Sequence, residues 1–540
     1  METGSLCSLG QLTPGPVLAA LRYFEDEFRT HIVDKRCPAG ACKELVRARC
    51  TNACPADVDV PSYVSLVAQG RYAEGLEIHR RTNPFPLACG RVCPAFCEQR
   101  CRRGDIDESI AIRDIKRFMA DHELARPWTP PVYGAPKQEK VAVVGAGPAG
   151  LTAALRLAQQ GYGVTILEKL PVAGGMMAVG IPDYRLPRDI LSAEIDNVLR
   201  AGVELRLNQA LGRDFTLDSL VEDGYKAVVL AIGAHKSGKL RIEGEDKAGV
   251  VHGVDFLRAV SLGQAPDLTG KRVGVVGGGN VAIDAVRTAW RLGASEVHLI
   301  YRRRREDMPA YAEEVEAAEH EGAIMHFLTN PTRVLGDEHV TGVECLEHSL
   351  GEFDRSGRRR PVPLSGSEFV LELDMLIPAI GQTPDLTGLE GEDGVAVKRD
   401  STFDVNDALC TSRPGVFAAG DAVSGAATVV EAVAQGNAVA RAVDHYLRTG
   451  EMEKIVTIPG YEVVDQPFNL EDFADARPPV MPELPIEERR GNFREVELGL
   501  DEKSIQEECK RCLRCDLEWL EEMELAFDPV PERRLVEKVG

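Results

Sequence analysis

Residues 140–160 read KVAVVGAGPAGLTAALRLAQQ, and residues 271–290 read KRVGVVGGGNVAIDAVRTAW. Each is an apolar run, a tight glycine turn and an amphipathic helical pattern, in that order. In Gly145-x-Gly147-x-x-Gly150 the first glycine permits the turn and the second lets a pyrophosphate approach the backbone. The third lets the helix pack on the strand. The helix that starts at Pro148 presents unpaired N–H groups, that of Ala149 included, to phosphate oxygens. Gly277-x-Gly279-x-x-Ala282, with Asn280 opening its helix, repeats the arrangement. Two dinucleotide sites on one chain are expected. Strand runs alternate with helical patterns over 139–450, which sets the fold class as α/β with two Rossmann-like units.

The two sites differ at the tip of their second strand. After VTIL (164–167) comes Glu168, 23 positions beyond Gly145 and placed to accept hydrogen bonds from ribose hydroxyls. After EVHLI (296–300) comes Tyr301 and then Arg302, Arg303, Arg304 and Arg305. No carboxylate stands there, and a planar guanidinium suits a 2′-phosphate. The first site is therefore expected to hold FAD and the second NADPH rather than NADH. Arg302 and Arg303 are the candidate phosphate ligands, and Arg304 and Arg305 read equally as a solvated basic loop. Farther on, GVFAAGDA (415–422) ends a strand in Gly420-Asp421, ahead of a helix expected from Thr428. Asp421 can reach the ribityl chain of a flavin; an ordinary helix cap is the other reading.

Fourteen cysteines are unevenly spread over the 540 residues. Nine lie from Cys7 to Cys101, three form Cys509-x-x-Cys512-x-x-Cys515, and only Cys345 and Cys410 lie between. No basic-then-apolar leader is read at the N-terminus, and no run of about 18 apolar residues suggests a membrane span. A cytoplasmic location is expected, where clustered thiols point to metal rather than disulfides. The groups Cys37-x4-Cys42-x7-Cys50-x3-Cys54-Pro and Cys89-x3-Cys93-Pro-x2-Cys97-x3-Cys101 suit iron–sulfur loops, with structural zinc as the alternative. The net charge of −22 argues against nucleic acid or an anionic membrane as the main partner. Without a Cys-x-x-Cys in 140–450, a disulfide reductase of the thioredoxin reductase type is excluded.

The chain from about Cys42 to Leu447 resembles the small (beta) subunit of NADPH-dependent glutamate synthase and its FAD- and [4Fe–4S]-containing relatives. The carrying motifs are TNPFPLACGRVCPAFCEQRC (82–101), the two glycine fingerprints, GGMMAVGIPDYRLP (174–187, with Gly175), YRRRREDMPA (301–310), AIGQ (379–382) and Gly420-Asp421. The resemblance implies two [4Fe–4S] clusters in a helical N-terminal domain, one on Cys42, Cys50 and Cys101 and the other on Cys54, Cys93 and Cys97. The family's second cysteine falls on Leu45, a gap that Cys37 could fill. The family's Gln or Glu ligand falls on Lys116, which as an ammonium ion cannot bind iron; Cys89 is an alternative.

Residues 5–45 separately resemble the C-terminal end of the NADH dehydrogenase flavin-binding subunit. That resemblance implies a third cluster, made by Cys7 with Cys509, Cys512 and Cys515. A partner-supplied ligand or a zinc site are the other readings there. The expected division is 1–135 helical iron–sulfur domain, 136–265 and 376–450 the two parts of the FAD domain, 266–375 the NADPH domain, and 451–540 an irregular cluster-binding extension. The expected activity is hydride transfer from NADPH to FAD and onward passage of electrons through the clusters to a partner subunit, ferredoxin or another soluble acceptor, or the reverse flow that reduces NADP. No catalytic side chain is expected. A small subunit of glutamate synthase and a non-enzymatic iron–sulfur scaffold or redox sensor are the alternatives.

Overall fold

The computed structural model describes residues 7–8, 12–42, 45–354, 357–389, 394–455, 463–467 and 475–527. Two parallel sheets form its centre. In the first, β1 (Lys140–Val144), β2 (Gly163–Glu168), β3 (Glu204–Leu207), β4 (Tyr225–Leu230) and β15 (Val416–Ala418) lie in the order β15-β4-β1-β2-β3. Val141, Ala142 and Val143 are fully buried, as strands covered on both faces require. The second sheet holds β6 (Arg272–Val276), β7 (Glu296–Tyr301), β8 (Ile324–Phe327) and β13 (Met375–Pro378), in the order β13-β6-β7-β8.

The second unit is inserted between β4 and β15 of the first. A short antiparallel ribbon, β5 (Lys236–Ser237) with β14 (Gln382–Thr383), marks the two crossings. Helix Gly253–Ser261 supplies Phe256 and Leu257 to the second sheet's core, so that unit begins ahead of residue 266. An antiparallel layer of β9 (Thr329–Leu335), β10 (Gly342–Phe353), β11 (Arg359–Pro363) and β12 (Phe369–Glu372) lies beside it.

Ahead of β1 the chain is helical: α1 (Pro14–Tyr23), α2 (Glu25–Ile32), α3 (Arg49–Ala53), α4 (Val60–Ala68), α5 (Tyr72–Arg80), α6 (Pro86–Val92), α7 (Phe96–Gln99) and α8 (Ile112–His122). Helix α6 packs on α8 and on α10 (Arg188–Leu199) of the first Rossmann unit. There Glu194 accepts the N–H groups of Leu87 and Ala88 at 2.7 and 2.9 Å.

Helix α9 (Pro148–Gln159) follows the first glycine turn and packs on the long α12 (Val429–Thr449). Helix α11 (Asn280–Arg291) follows the second turn. A Thr428–Glu431 capping box starts α12, and Gly450 at φ +79° stops it.

The C-terminal extension returns over the helical layer. Glu495 and Glu497 meet Arg117 at 2.9 and 3.2 Å, and Arg489 meets the buried Glu321 of the second unit at 3.2 Å. Helix α13 (Glu502–Lys510) then lies on α4 and α8, and α14 (Cys515–Phe527) follows. Ile505 and Cys509 thereby enter the same core as Val64 and Val143. No described helix is long and apolar enough to cross a membrane.

Candidate functional site

A cavity of about 750 Å³ opens between the two Rossmann units, and both glycine turns reach it. Gly145, Gly147, Pro148, Ala149, Glu168, Gly175, Gly420, Asp421 and Thr428 line it from one side, and Gly279 and Asn280 from the other. The glycines divide by purpose. A Cβ at Gly145 would stand 2.3 Å from the Ala231 carbonyl oxygen, and one at Gly150 2.0 Å from that of Gly145. Those two serve the fold, as does Gly277 at φ +148°, where a Cβ would meet the Ala379 oxygen at 2.3 Å. At Gly147 the nearest atom to such a Cβ is 3.9 Å away, and at Gly279 it is 4.0 Å away. Both have ordinary negative φ, so the protein itself leaves that space clear.

Glu168 sits at the tip of β2 with both oxygens fixed by backbone donors, Ala146 N–H at 2.7 Å and Leu170 N–H at 2.8 Å. Burial raises its pKa. Each oxygen keeps a lone pair for a ribose hydroxyl. Asp421 follows the left-handed Gly420 and accepts the Ala427 N–H at 3.2 Å; burial pushes its carboxyl up to about 7. This donor and acceptor set, the helix start at Pro148 and the space left at Gly147 fit an FAD.

At the second site Ala282 is buried under the turn and Tyr301 covers Gly278, its hydroxyl donating to the Asp307 carbonyl at 2.7 Å. The arginines separate. Arg302 is exposed at the end of β7 and enters none of the described ion pairs. Arg303 is buried, donates to the Arg359 carbonyl at 2.9 Å and meets Asp354 at 3.2 Å. Its guanidinium braces the β10–β11 hairpin, a tertiary contact with no counterpart in the local sequence. Arg304 pairs with Asp307 and Arg305 with Glu319.

Three groups in the cavity wall escape sequence reading. His235 is half-buried beside Arg258, and desolvation lowers its pKa to about 3. Arg185 grips Asp284 at 2.9 Å, and Asp284 is pushed up to about 6, chiefly by burial. Arg185 falls within the 174–187 motif, which was the only signal for it.

The cysteines fall into three groups, of which the first keeps the expected Cys54, Cys93 and Cys97 together. Cys54, Cys93 and Cys97 gather with Cys89 around the buried Lys116. Burial opposes the lysine's charge, but the four sulfurs outweigh it and hold its pKa up. Burial pushes Cys54 up to about 11 and Cys89 up to about 12, and Asn83 donates to the Cys89 sulfur at 3.4 Å. Val430, in the first turn of α12, lines the same small space, and the cap of that helix, Thr428, lines the large cavity.

Cys42 is a neighbour of His31 (3.3 Å) and Cys37, with the three ligand atoms within 4.8 Å of one another. Burial pushes Cys37 up, but the N–H groups of Ala41 and Cys42 and the His31 ring bring it down to about 6. Cys50 and Cys101 instead neighbour Cys512 and Cys515. Cys509 is buried in α13 next to Cys512, and Cys7 is exposed.

Residues 139–436 match the pyridine nucleotide-disulphide oxidoreductase model, and residues 24–128 match that of dihydropyrimidine dehydrogenase domain II, 4Fe-4S cluster. The chain belongs to the pyridine nucleotide-disulphide oxidoreductase family, in the branch that joins this module to an iron–sulfur domain. It is an FAD/iron–sulfur oxidoreductase handling NAD(P)H-derived electrons.

It is 46% identical to the NADP(+)-dependent formate dehydrogenase subunit beta of Moorella thermoacetica, over 95% of this chain and 78% of that one. To the NADPH-Fe(3+) oxidoreductase subunit beta of Geobacter sulfurreducens it is 42% identical, over 95% and 82%. To the glutamate synthase [NADPH] small chain of Escherichia coli it is 35% identical, over 76% and 90%. Mycobacterium tuberculosis FprA in complex with NADPH shares the fold, with a TM-score of 0.50 and 20% identity over 59% of this chain and 87% of that one.

Proposed function

We propose that the chain takes hydride from NADPH onto a bound FAD and passes the electrons singly through [4Fe–4S] clusters to a partner protein. The single observation that carries the reading is the cavity common to both glycine turns, which allows the two cofactors to meet without leaving their phosphate sites. FAD, when bound, supplies the exchange between a two-electron donor and one-electron centres.

The chain's own residues bind and orient. Gly145, Gly147, Pro148, Ala149, Gly150 and Gly175 form the FAD phosphate cradle, Glu168 takes the ribose, and Gly420, Asp421 and the Thr428 helix start take the ribityl and pyrimidine side. Gly277, Gly279, Asn280 and Ala282 cradle the pyridine nucleotide, and Arg302 takes its 2′-phosphate. Arg303 acts from behind, holding the hairpin under the arginine loop. No side chain need move a proton to carbon in such a transfer.

Cys54, Cys93 and Cys97 are the metal ligands facing the flavin side. Lys116 offsets their charge, and Cys89 is the one further thiol within the group. The first turn of α12 connects the two sites: Val430 touches the cysteine pocket two residues after the flavin-side Thr428.

A partner subunit is supported by relatives named as beta subunits and small chains, and by α1, α2 and the residue between them, which expose Val17, Leu21, Tyr23, Phe24 and Ile32. Reduced thiols in so many places support a cytoplasmic location. The two relatives matched over 95% of the chain, against 76% for the glutamate synthase small chain, favour an electron-transfer subunit over a glutamate-forming assembly.

The test is anaerobic addition of NADPH to the purified holoprotein. Bleaching of the flavin band followed by a reduced-cluster EPR signal, with NADH slower, is expected. A flavin band that stays unchanged with both nucleotides overturns the reading.

A further inference from the structure

We infer that Cys50, Cys101, Cys512 and Cys515 form one four-thiolate iron–sulfur site assembled from both ends of the chain. The inference rests on the iron–sulfur reading above and replaces two assignments implied by resemblance: Cys42 on the Cys50–Cys101 cluster, and a separate cluster using all of Cys509, Cys512 and Cys515.

The starting point is a missing ligand. Leu45 offers iron nothing, and the structure sends Cys42 to His31 and Cys37 instead. Cys50 and Cys101 would be left as a pair, too few for a cluster. The C-terminal extension fills the place. Helix α13 starts on an Asp501 cap, with the Ser504 N–H donating at 3.0 Å, and runs over the helical layer. Cys512 N–H then bonds the Cys509 carbonyl at 3.2 Å, and Arg514 turns left-handed at φ +50° before α14 begins at Cys515.

Residues beside the two C-terminal cysteines are clamped to residues beside the two N-terminal ones. Asp516 meets Arg47, three residues before Cys50, at 3.4 Å. Glu518 pairs with Arg102, which follows Cys101. Arg511 meets Asp107 at 3.2 Å and donates to the Glu108 carbonyl at 2.7 Å, while Arg514 donates to Ser65 Oγ at 2.9 Å. A C-terminal segment held at these points, all buried but Arg102–Glu518, has a fixed position, which a ligand set requires.

The four sulfurs are neighbours in all six pairings: Cys50 with Cys101, Cys512 and Cys515, Cys512 with Cys101 and Cys515, and Cys515 with Cys101; Cys50 also neighbours Cys97, and Cys512 also neighbours Cys509. No three of them lie within the 4.8 Å at which His31, Cys37 and Cys42 meet. A tetrahedral zinc site, with zinc–sulfur bonds of about 2.3 Å, would hold its sulfurs about 3.8 Å apart. Thiols that are neighbours but more widely spaced suit a polynuclear cluster. Cys509 is left over as a buried residue of α13, and His31, Cys37 and Cys42 as a separate three-ligand group.

The test uses the full-length protein, prepared anaerobically. Iron, sulfide and the EPR signals of the dithionite-reduced protein are measured for Cys512→Ser, Cys515→Ser, Cys101→Ser and Cys42→Ser. The first three are expected to lose the same signal and about four irons each, with flavin retained; Cys42→Ser keeps that signal. Loss in Cys42→Ser with retention in Cys512→Ser and Cys515→Ser overturns the assignment.

Thiol alkylation of the unmodified protein during stepwise chelation guards against misfolded variants. Cys50, Cys101, Cys512 and Cys515 should become labelled together. Labelling of Cys512 and Cys515 while Cys50 and Cys101 stay protected overturns it. An unmodified protein without iron would instead defeat the underlying iron–sulfur reading, and the ligand assignment with it.

Discussion

Arg47 and Asp516, 469 positions apart in the chain, meet at 3.4 Å with both side chains buried. Arg47 also meets Asp59 at 3.2 Å, and Arg514 holds Asp516 at 2.9 Å, so one network ties the first helices to the last cysteines. Removing one member leaves a buried charge without its partner, a cost of about 3–5 kcal/mol. Asp516→Ala is therefore expected to loosen the C-terminal extension before the Rossmann units. Limited proteolysis should cut within 475–515 in the variant and spare it in the parent; equal resistance in both would contradict this.

The two central glycines separate binding from folding. Gly147→Ala meets no protein atom closer than 3.9 Å, and Gly279→Ala none closer than 4.0 Å. Each should fold like the parent, by circular dichroism and thermal melting. FAD should bind at least about tenfold more weakly to Gly147→Ala, a loss of about 1.4 kcal/mol. In Gly279→Ala the flavin should stay, and KM for NADPH should rise by a similar factor. Gly145→Ala and Gly150→Ala, whose Cβ atoms would overlap carbonyl oxygens, should fail to fold.

Both glycine turns and the acid at the tip of β2 were legible because each is a local pattern: neighbours in sequence are neighbours at the turn. The insertion of the second unit between β4 and β15 was legible too, since Gly420-Asp421 returns after it. The cysteine partition was not. Whether Cys50 meets Cys42 or Cys512 depends on the route of residues 475–515 across α4 and α8, and that route is set by ion pairs such as Arg117–Glu497 between distant segments. The surroundings of Arg303 escaped for the same reason. Its partners, Asp354 and the Arg359 carbonyl, belong to a hairpin more than fifty residues downstream.

Nucleotide choice should follow Arg302 alone. A charge-assisted hydrogen bond is worth about 1.5–3 kcal/mol, so Arg302→Ala should lower kcat/KM for NADPH by a factor on the order of 10 to 100 and leave NADH little changed. Arg303→Ala removes a brace rather than a phosphate ligand. It should lower thermal stability and affect the two nucleotides alike. A change of preference in Arg303→Ala, with none in Arg302→Ala, would reverse the assignment.

Asp421 should make FAD affinity depend on pH. Its carboxyl is held at about 7 in the flavin-free fold, against about 3.9 in an unfolded chain. Folding therefore takes up a proton between those values, and the stability this group lends is lost as pH rises through about 7. A ribityl hydroxyl donating to the carboxylate favours the ionised form. Binding should release that proton below pH 7, and affinity should rise from pH 5 to 8. Asp421→Asn should flatten the profile, measured by flavin fluorescence; an unchanged slope would remove Asp421 from the flavin site.

Lys116 should set the potential of the cluster on Cys54, Cys93 and Cys97. Its ammonium is buried among those sulfurs and Cys89, and it lies where the family places a neutral or acidic ligand. A cation close to a cluster stabilises the reduced form, which carries one more negative charge. Lys116→Gln deletes that charge, so the midpoint potential should fall by about 59 mV for each 1.4 kcal/mol of lost attraction in a one-electron couple. An EPR-monitored redox titration reads the shift. Because glutamine can also reach iron, Lys116→Met provides the control. A fall in both variants assigns the effect to the missing charge, and a fall confined to Lys116→Gln assigns it to a changed ligand.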